Sequence, residues 1–210
     1  VRMIRAIRFE VKLDAKLDSN ITKAISQQSH LLGGIPPARL YDECIKLFHN
    51  EKSYRVFERL IETGLLNHLF KQTNNSKFIK KALNNTSERL KTNKSVTPAF
   101  LFSVFLWDSQ NKHFKKIKKR NKSNFVAMNQ ASEEVISRQV KQVLMPKWLS
   151  AKVKDVWMMQ HQLEKCSSKK VIDLIANPRF RLAYDFLVIR SQSINPELSD
   201  RVEYWTQIQK

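Results

Sequence analysis

The sequence predicts an all-α protein, a multi-helix array without a substantial sheet. Glycine occurs only 3 times in 210 residues, which argues against an all-β fold rich in tight turns. Hydrophobic residues make up 42% of the chain, enough to form a core. Apolar residues recur at the spacing of a helix, and residues typical of helix starts and ends separate these segments.

The first segment, residues 1–17, is expected to be a helix because Ile4, Ile7 and Val11 recur every three or four residues. Phe9 and Leu13 add apolar surface on another side of this helix. We therefore expect it to be wedged between neighbouring elements, with its basic residues facing a cleft. These basic residues are Arg2, Arg5, Arg8 and Lys12.

Helix start and stop signals divide the rest of the first half. Gly33-Gly34 interrupts the chain, Pro37 suits the first turn of a helix, Gly64 suits a helix end, and Asn74-Asn75-Ser76 indicates a loop. These signals predict helices over residues 19–31, 38–49, 53–63 and 77–90, with a short apolar segment over 65–70.

In the second half, Thr97 is a natural N-cap and Pro98 the first helical residue. Residues 98–107 (PAFLFSVFLW) are predicted to form a buried helix. A basic segment follows over residues 111–124. Further helices are expected over residues 131–144, 152–165, 178–191, begun by Asn177-Pro178, and 196–210.

The net charge indicates a polyanionic partner. Lysine and arginine number 38 against 19 aspartate and glutamate, a net charge of +19. A membrane is the weaker choice of partner, because the apolar stretch over residues 98–107 is half of the ~20 residues needed to span a bilayer. No signal peptide is visible, and residues 1–5 do not resemble a natural start, so we interpret the chain as a fragment of a cytoplasmic protein.

The two cysteines, Cys44 and Cys166, indicate neither zinc nor redox chemistry, because no CxxC pair occurs. We expect two reduced, buried thiols.

Catalytic motifs are missing from the sequence. No DxD pair offers carboxylates for Mg²⁺, and HExxH and GxSxG are also absent. His161 and Glu164 lie one helical turn apart and are a conceivable metal pair, but a packed or solvated histidine is the more frequent case. We therefore assign no catalytic residue and no metal ligand to this chain.

The basic segment is the main candidate binding site. Residues 112–122 (KHFKKIKKRNK) contain seven basic residues and no acid. Their mutual repulsion would be relieved by bound phosphates, whereas the alternative is a solvated helix face or a loose linker. The predicted RNA-binding residues are Lys112, Lys115, Lys116, Lys118, Lys119, Arg120 and Lys122.

VRMIRAIRFEVKLD resembles a motif of the class II nucleotidyltransferases, the group of bacterial poly(A) polymerases and CCA-adding enzymes. There, EDxxR is followed by xxRAxRF, so that Arg2 matches the arginine of the first motif. IPPARLYDECIKLF resembles the next motif, in which Arg39 and Glu43 match an arginine and a glutamate four residues apart. VTPAFLFSVFLW, PRFRLAYDFLVIRSQ and YWTQIQ are similar to the poly(A) polymerase pattern, so the resemblance extends over the whole chain.

The resemblance implies roles for these residues. Arg2, Arg5 and Arg8 would contact the nucleotide, and Arg2 would hydrogen-bond the incoming base together with an aspartate upstream of Val1. Arg39 and Glu43 would support the nucleotide pocket, and their i, i+4 spacing allows them to pair with each other. An ordinary surface ion pair is the alternative.

The resemblance also implies the organisation and activity. Residues 1–50 would form a neck, 51–150 a helical body with the RNA-binding segment, and 151–210 C-terminal helices. ATP as substrate and Mg²⁺ would be held by a missing N-terminal head domain, and the intact enzyme would add AMP to RNA 3′ ends. The chain alone is predicted to be inactive. The alternatives are the equivalent part of a tRNA CCA-adding enzyme and a non-enzymatic helical RNA-binding protein.

Overall fold

All regular secondary structure is helical in the part that the computed structural model describes, residues 1–71, 73, 76–120, 122–165 and 170–209. No strand occurs in those ranges, and the predicted all-α class is confirmed. The α-helices of the described chain are α1 (Arg2–Lys12), α2 (Ser19–Gln28), α3 (Pro37–Phe48), α4 (Ser53–Glu62), α5 (Ser76–Lys91), α6 (Pro98–Lys118), α7 (Asn124–Gln142), α8 (Lys147–Glu164), α9 (Val171–Ala176), α10 (Phe180–Ser191) and α11 (Ser199–Ile208). Short 3₁₀ turns occur at Ser29–Gly34, Leu65–His68 and Pro196–Leu198.

Several predicted helix ends are confirmed. The Thr97 hydroxyl accepts a hydrogen bond from the backbone N–H of Phe100 at 3.3 Å and caps α6, whose first residue is Pro98. Pro37 likewise opens α3. Gly64 adopts a left-handed conformation with φ 72° directly after α4, which a side chain would strain.

The first helix is shorter than predicted. It ends at Lys12, and Asp14 has φ 51°, which is incompatible with continuing the helix to residue 17. The Asp14 carboxylate accepts hydrogen bonds from Lys52 and Arg55, which hold this turn against α4. Phe9 and Leu13 are 46% and 69% exposed, so the expected second packed side of α1 is wrong.

The buried apolar helix is longer than predicted. Residues 99–107 are all buried, as expected, but α6 continues through eleven more residues to Lys118. The next helix begins at Asn124 instead of residue 131, because Ser123 caps it by accepting a hydrogen bond from the Val126 N–H. The predicted basic segment is therefore the end of one helix, a short connection and the start of another.

The C-terminal helices also differ in their boundaries. α8 begins at Lys147 and α10 at Phe180, against predicted starts at residues 152 and 178. The short helix α9 was not predicted at all. Asn177 still organises the start of α10, because its side-chain oxygen accepts a hydrogen bond from the Arg179 N–H at 2.8 Å. The helical tail is confirmed as a 3₁₀ turn followed by α11.

An aromatic cluster forms the centre of the larger core. The Phe105 ring of α6 stacks on the Phe70 ring with centroids 4.6 Å apart. The Phe48 ring of α3 lies 4.6 Å from the Phe105 ring. These rings are almost fully buried. Truncating a buried phenylalanine to alanine typically costs about 3–5 kcal/mol, so this cluster is expected to dominate the stability of the fold.

A second, smaller core joins the C-terminal helices. Trp205 of α11 is fully buried and packs 5.4 Å from the ring of Phe180, while its indole N–H donates to the Leu163 carbonyl at 3.0 Å. Arg190 connects the two cores. It is buried, donates to Glu164 at 2.6 Å, and lies 4.7 Å from the Trp107 ring.

Within the described ranges, every helix is too short or too polar to span a lipid bilayer. Cys44 is buried as predicted, and burial raises the pKa of its thiol far above the ordinary value. Cys166 and the predicted loop residues Asn74 and Asn75 lie outside the described residues.

Candidate nucleotide and RNA surfaces

The basic residues of α1 share one face of the helix, because Arg2, Arg5, Arg8 and Lys12 follow one another at intervals of three or four residues. The opposite face carries Ile4, Ile7 and Val11, which are buried in the larger core. This amphipathic pattern fixes the rotation of α1. The arginines are consequently directed away from the core.

Arg5 is anchored to α3 by an ion pair. Its Nε and Nη2 atoms donate to the same oxygen of Glu43, Oε1, at 2.9 and 2.7 Å. The Glu43 side chain is 2% exposed, whereas that of Arg5 is 46% exposed. Lys46, one turn further along α3, lies 3.9 Å from the same oxygen. Charge-assisted hydrogen bonds of this kind compensate the burial of the carboxylate.

The expected pairing of Arg39 with Glu43 is wrong. Arg39 is exposed, and its side chain makes no hydrogen bond or ion pair with the described residues, because Glu43 turns towards α1 instead. The second carboxylate oxygen, Oε2, is buried and has no hydrogen-bond partner in the described chain. Arg39 and Glu43 therefore share a helix face without forming the local pair that their spacing suggested.

Arg2 and Arg8 are in different environments. Arg2 is exposed and has no partner among the described residues. The guanidinium of Arg8 lies 5.0 Å from the ring of Phe9, and its Nε atom is buried without a hydrogen-bond partner in the described part of the chain. Arg8 lines an open groove of about 730 Å³ together with Lys12, Lys46 and Lys52, and Glu51 also lines it, so the basic residues outnumber the acidic one. The groove suits an anion more than a cation.

The other side of α1 is fixed by Glu10. Its two oxygens accept hydrogen bonds from Arg59 of α4 at 3.0 and 2.9 Å, and Oε1 also accepts one from the Leu17 N–H at 3.1 Å. Burial alone would raise the pKa of Glu10, but these donors outweigh it and hold the pKa below its ordinary value. Sequence reasoning missed this pair, because 49 residues separate its members.

The lysine-rich end of α6 is an ordered part of the fold. Ile117 is buried against Ala127 and Ala131 of α7, and Phe114 packs against the same cluster. These two apolar residues are the ones that interrupt the basic run. The alternative of a loose linker does not hold over residues 112–118, since these residues are helical and the core continues under this part of the helix.

Three of the seven predicted RNA-binding residues have protein partners. Lys112 pairs with Asp108, one turn earlier, at 2.8 Å. The Lys118 ammonium donates to the Lys122 carbonyl at 2.9 Å, and the Lys122 ammonium donates to Gln130 at 2.7 Å. These contacts close the connection between α6 and α7.

The other four, Lys115, Lys116, Lys119 and Arg120, are exposed and have no side-chain hydrogen bond or ion pair in the described chain. The C-terminal end of α6 carries Lys115, Lys116 and the cap residue Lys119. Cations at this position interact favourably with the negative end of the helix dipole. The interaction with the helix dipole accounts for part of this positive charge. Four neighbouring cations without a carboxylate exceed what a helix end requires, and they form a strong local positive potential.

A second basic groove was not predicted. It lies between the 3₁₀ turns, α3, α6 and α7, has a volume of about 470 Å³, and is lined by Lys71, Arg138 and Lys141 over an apolar floor. Arg138 donates to His113 of α6 at 2.9 Å, which connects the groove to the lysine-rich end. The i, i+3 spacing of Arg138 and Lys141 was the only signal in the sequence.

The conceivable metal pair of His161 and Glu164 is not formed. His161 contacts the amide of Asn124 at 2.8 Å, while Glu164 accepts a hydrogen bond from Arg190. No group of three histidine, cysteine, aspartate or glutamate side chains that could hold a metal ion occurs within the described ranges.

Comparison with known proteins matches most of the chain to one family. The family profile described as "Probable RNA and SrmB-binding site of polymerase A" matches residues 15–77, and that described as "Polymerase A arginine-rich C-terminus" matches residues 120–210. The chain belongs to the poly(A) polymerase family. The first profile includes α2 to α4 and Glu43, and the second starts at Arg120.

Relatives within the poly(A) polymerase family align with the entire chain. Poly(A) polymerase I of Escherichia coli O6:H1 is 31% identical over 221 residues, which is 100% of this chain and 48% of the relative. The corresponding protein of Haemophilus influenzae is 30% identical over 220 residues, 100% of this chain and 49% of the relative. The chain therefore spans about half the length of the curated relatives it matches.

A CCA-adding enzyme gives a shorter match. The enzyme of Pediococcus pentosaceus is 37% identical over 65 residues, which covers 31% of this chain and 16% of the relative. A partial match to this group agrees with the shared motif of the nucleotidyltransferases. The alignments that cover this whole chain favour the poly(A) polymerases over the CCA-adding enzymes.

Proposed function

We propose that this chain positions RNA and nucleotide in a poly(A) polymerase, which adds AMP from ATP to RNA 3′ ends. The observation that carries the proposal is the set of four unpaired cations at the end of α6, held in place by the partly buried Phe114 and the buried Ile117. Phosphates would neutralise these charges without reading the RNA sequence. The family relationship supports RNA as the polyanion.

The nucleotide would contact the basic face of α1. Arg2 has a free planar guanidinium, which can form two hydrogen bonds to a base edge. Arg8 and the basic groove beside it suit the phosphates, while Arg5, paired with Glu43, fixes the position of α1 on α3. Arg39 remains free to approach the same ligand. These residues would belong to the neck, residues 1–50, with a body over 51–150 and C-terminal helices over 151–210.

In the reaction, the RNA 3′ hydroxyl would attack the α-phosphate of ATP and release pyrophosphate. Catalysis of this kind depends on positioning and on stabilising charge, and this chain would supply positioning. Mg²⁺ and the triphosphate would be held by a head domain in the part of the relatives that this chain does not cover. We assign no catalytic residue and no metal ligand to the 210 residues, and we expect the intact protein to act in the bacterial cytoplasm.

The test is a filter-binding titration of the 210-residue chain with single-stranded RNA at several salt concentrations. Changing the three unpaired lysines, Lys115, Lys116 and Lys119, to alanine should flatten the log–log salt slope by up to about 2 units, because each neutralised phosphate contributes roughly 0.7. Affinity should fall about equally for unrelated RNA sequences.

A matched control changes three exposed lysines elsewhere to alanine: Lys77, Lys81 and Lys94. This variant loses the same net charge, so it should keep most of the wild-type slope if the contacts are local. An equal slope for the α6 variant and the wild type would refute the proposed RNA surface.

Tailing assays separate the proposal from its rivals. The polymerase with its head should extend a generic RNA with long A-tails when ATP is the only nucleotide. A protein that acts on tRNA alone and stops after a defined addition would instead be a CCA-adding enzyme. The 210-residue chain by itself should add no adenylate, and a free-standing RNA-binding protein would have no polymerase head encoded upstream.

A further inference from the structure

Phe125 is the most exposed aromatic side chain in the described part of the chain. It is 67% accessible to solvent and has no ring contact with another described residue, whereas Phe114 packs against the protein. Val126 beside it is 47% exposed. Single exposed apolar side chains are normal, whereas contiguous exposed apolar surface marks binding sites, and Phe125 and Val126 are adjacent.

The position of Phe125 connects it to the lysine-rich end of α6. It is the second residue of α7, five residues after Arg120, so the two Cα atoms are no more than about 18 Å apart. The hydrogen bond between the Lys118 ammonium and the Lys122 carbonyl folds this connection back on itself. The aromatic ring and the unpaired cations therefore share one end of the molecule.

The helix geometry keeps the ring outside the core. Ala127 and Ala131 of α7 face α6, and Phe125 is two residues, or about 200°, away from Ala127 around the helix. The Ser123 cap and the contact between Asn124 and His161 fix the start of α7. The Phe125 side chain is thus held in solvent on an ordered backbone.

Charge on α7 also favours an anionic ligand. Its first turn contains no acidic residue, and the nearest carboxylate on the helix, that of Glu133, is eight residues or about 12 Å further along. Glu133 is paired with Lys154 at 2.9 Å. An exposed ring beside a basic connection, with no carboxylate in the first two turns of its own helix, matches single-stranded nucleic acid, whose bases have apolar faces between charged phosphates.

We propose that a base of single-stranded RNA stacks on the Phe125 ring while the neighbouring phosphates contact Lys115, Lys116, Lys119 and Arg120. The inference rests on the proposed RNA-binding function and adds a base contact to it. Stacking accepts any base, because every base has a flat face. The surface would consequently hold RNA in a fixed register without selecting a sequence.

The experiment compares Phe125→Ala and Phe125→Trp in the 210-residue chain, using oligoadenylate and a strand of the same length with abasic sites. Phe125→Ala should weaken oligoadenylate binding by about 5- to 150-fold, the range typical of one lost base stack. The salt slope should stay unchanged, because no phosphate contact is removed. Phe125→Trp should bind at least as tightly as the wild type.

Abasic RNA distinguishes stacking from a change in fold. The wild type should bind the abasic strand as weakly as Phe125→Ala binds oligoadenylate, and the substitution should not weaken abasic binding further. An equal loss with both strands would overturn the inference. The matched control is Trp148→Ala, since Trp148 is 49% exposed on α8 with Lys152 over its ring at 5.2 Å. The control should bind RNA normally, and a loss as large as that of Phe125→Ala would also overturn the inference.

The salt slope of the variant with the lysine substitutions in α6 is measured in parallel, as a separate test of the RNA surface. If they flatten the salt slope while Phe125→Ala binds like the wild type, the RNA surface stands and only the stacking is wrong; the ring would then serve a protein contact. If the lysine substitutions leave the slope unchanged, the RNA surface itself is wrong, and the stacking inference falls with it.

Discussion

Arg5 and Glu43 join α1 to α3 through two hydrogen bonds that end on one carboxylate oxygen, at 2.9 and 2.7 Å. The carboxylate is buried and the guanidinium is half exposed, so the pair lies at the edge of the core. Arg5, one of the arginines on the basic face of α1, therefore holds α1 against α3. Arg2, three residues earlier, has no such partner in the described chain.

Arg5→Ala should destabilise the fold, because it leaves the buried carboxylate of Glu43 with only the distant Lys46 ammonium. We expect the free energy of unfolding to fall by about 1–2 kcal/mol, below the 3–5 kcal/mol typical of a fully buried pair, since Arg5 is 46% exposed. Urea unfolding followed by circular dichroism measures this. Arg2→Ala on the same helix is the control and should change stability by less than ~0.5 kcal/mol. Equal effects of the two substitutions would show that the Arg5 pair contributes nothing specific.

Arg2→Ala should instead change nucleotide choice in the polymerase that carries the head. Losing a two-fold hydrogen bond to a base edge typically costs ~1–3 kcal/mol of discrimination, so incorporation of ATP relative to CTP should fall about 5- to 150-fold. RNA affinity should remain near normal, because the lysine-rich end of α6 is untouched. Competition assays with both nucleotides measure the ratio. An unchanged ratio would leave Arg2 without a role in base recognition.

Glu10 should make stability depend on pH in the acid range. Its pKa in the folded chain lies below the ordinary value of 4.5, so its stabilising effect is complete above that value and is lost as the pH falls through the folded-state pKa. Glu10→Gln should lower the free energy of unfolding by about 2 kcal/mol at pH 7, the typical contribution of hydrogen bonds to a charged group.

In urea titrations, the difference between wild type and Glu10→Gln should be nearly the same at pH 7 and 5 and clearly smaller at pH 3. The matched control is Glu62→Gln, which removes the other carboxylate partner of Arg59 but is 58% exposed. It should have little effect at any pH. A difference for Glu10→Gln that stays constant down to pH 3 would contradict the assigned pKa direction.

Much of the fold is predictable from sequence because helix ends depend on local chemistry. Thr97, Pro37 and Gly64 act through their own side chains or backbone angles, and each stands where it was expected. The end of α1 is different, since the left-handed turn at Asp14 is held by Lys52 and Arg55 from another helix. No local pattern in the first 17 residues indicates these partners.

In the candidate sites, too, the sequence predicts local features but not contacts between distant parts of the chain. The basic run at the end of α6 and the arginines of α1 are evident in the sequence. Which of them are free is not, because Arg5 is paired across 38 residues and Lys122 across eight. The i, i+4 spacing favoured Arg39 as the partner of Glu43, but Arg5 from another helix forms the ion pair instead. Exposed Phe125 was also missed, since the start of α7 was predicted at residue 131 and residues 125–130 were assigned to no element.

The continuity of α6 has a consequence for the thermodynamics of RNA binding. Its 21 residues form one rod of about 31 Å, with the aromatic core around Phe105 at one end and the lysines at the other. The backbone that carries the lysines is already ordered before any RNA arrives, so binding restricts side chains alone and avoids the larger entropy loss of folding a disordered basic tail. RNA association should therefore show a small heat-capacity change, unlike coupled folding and binding.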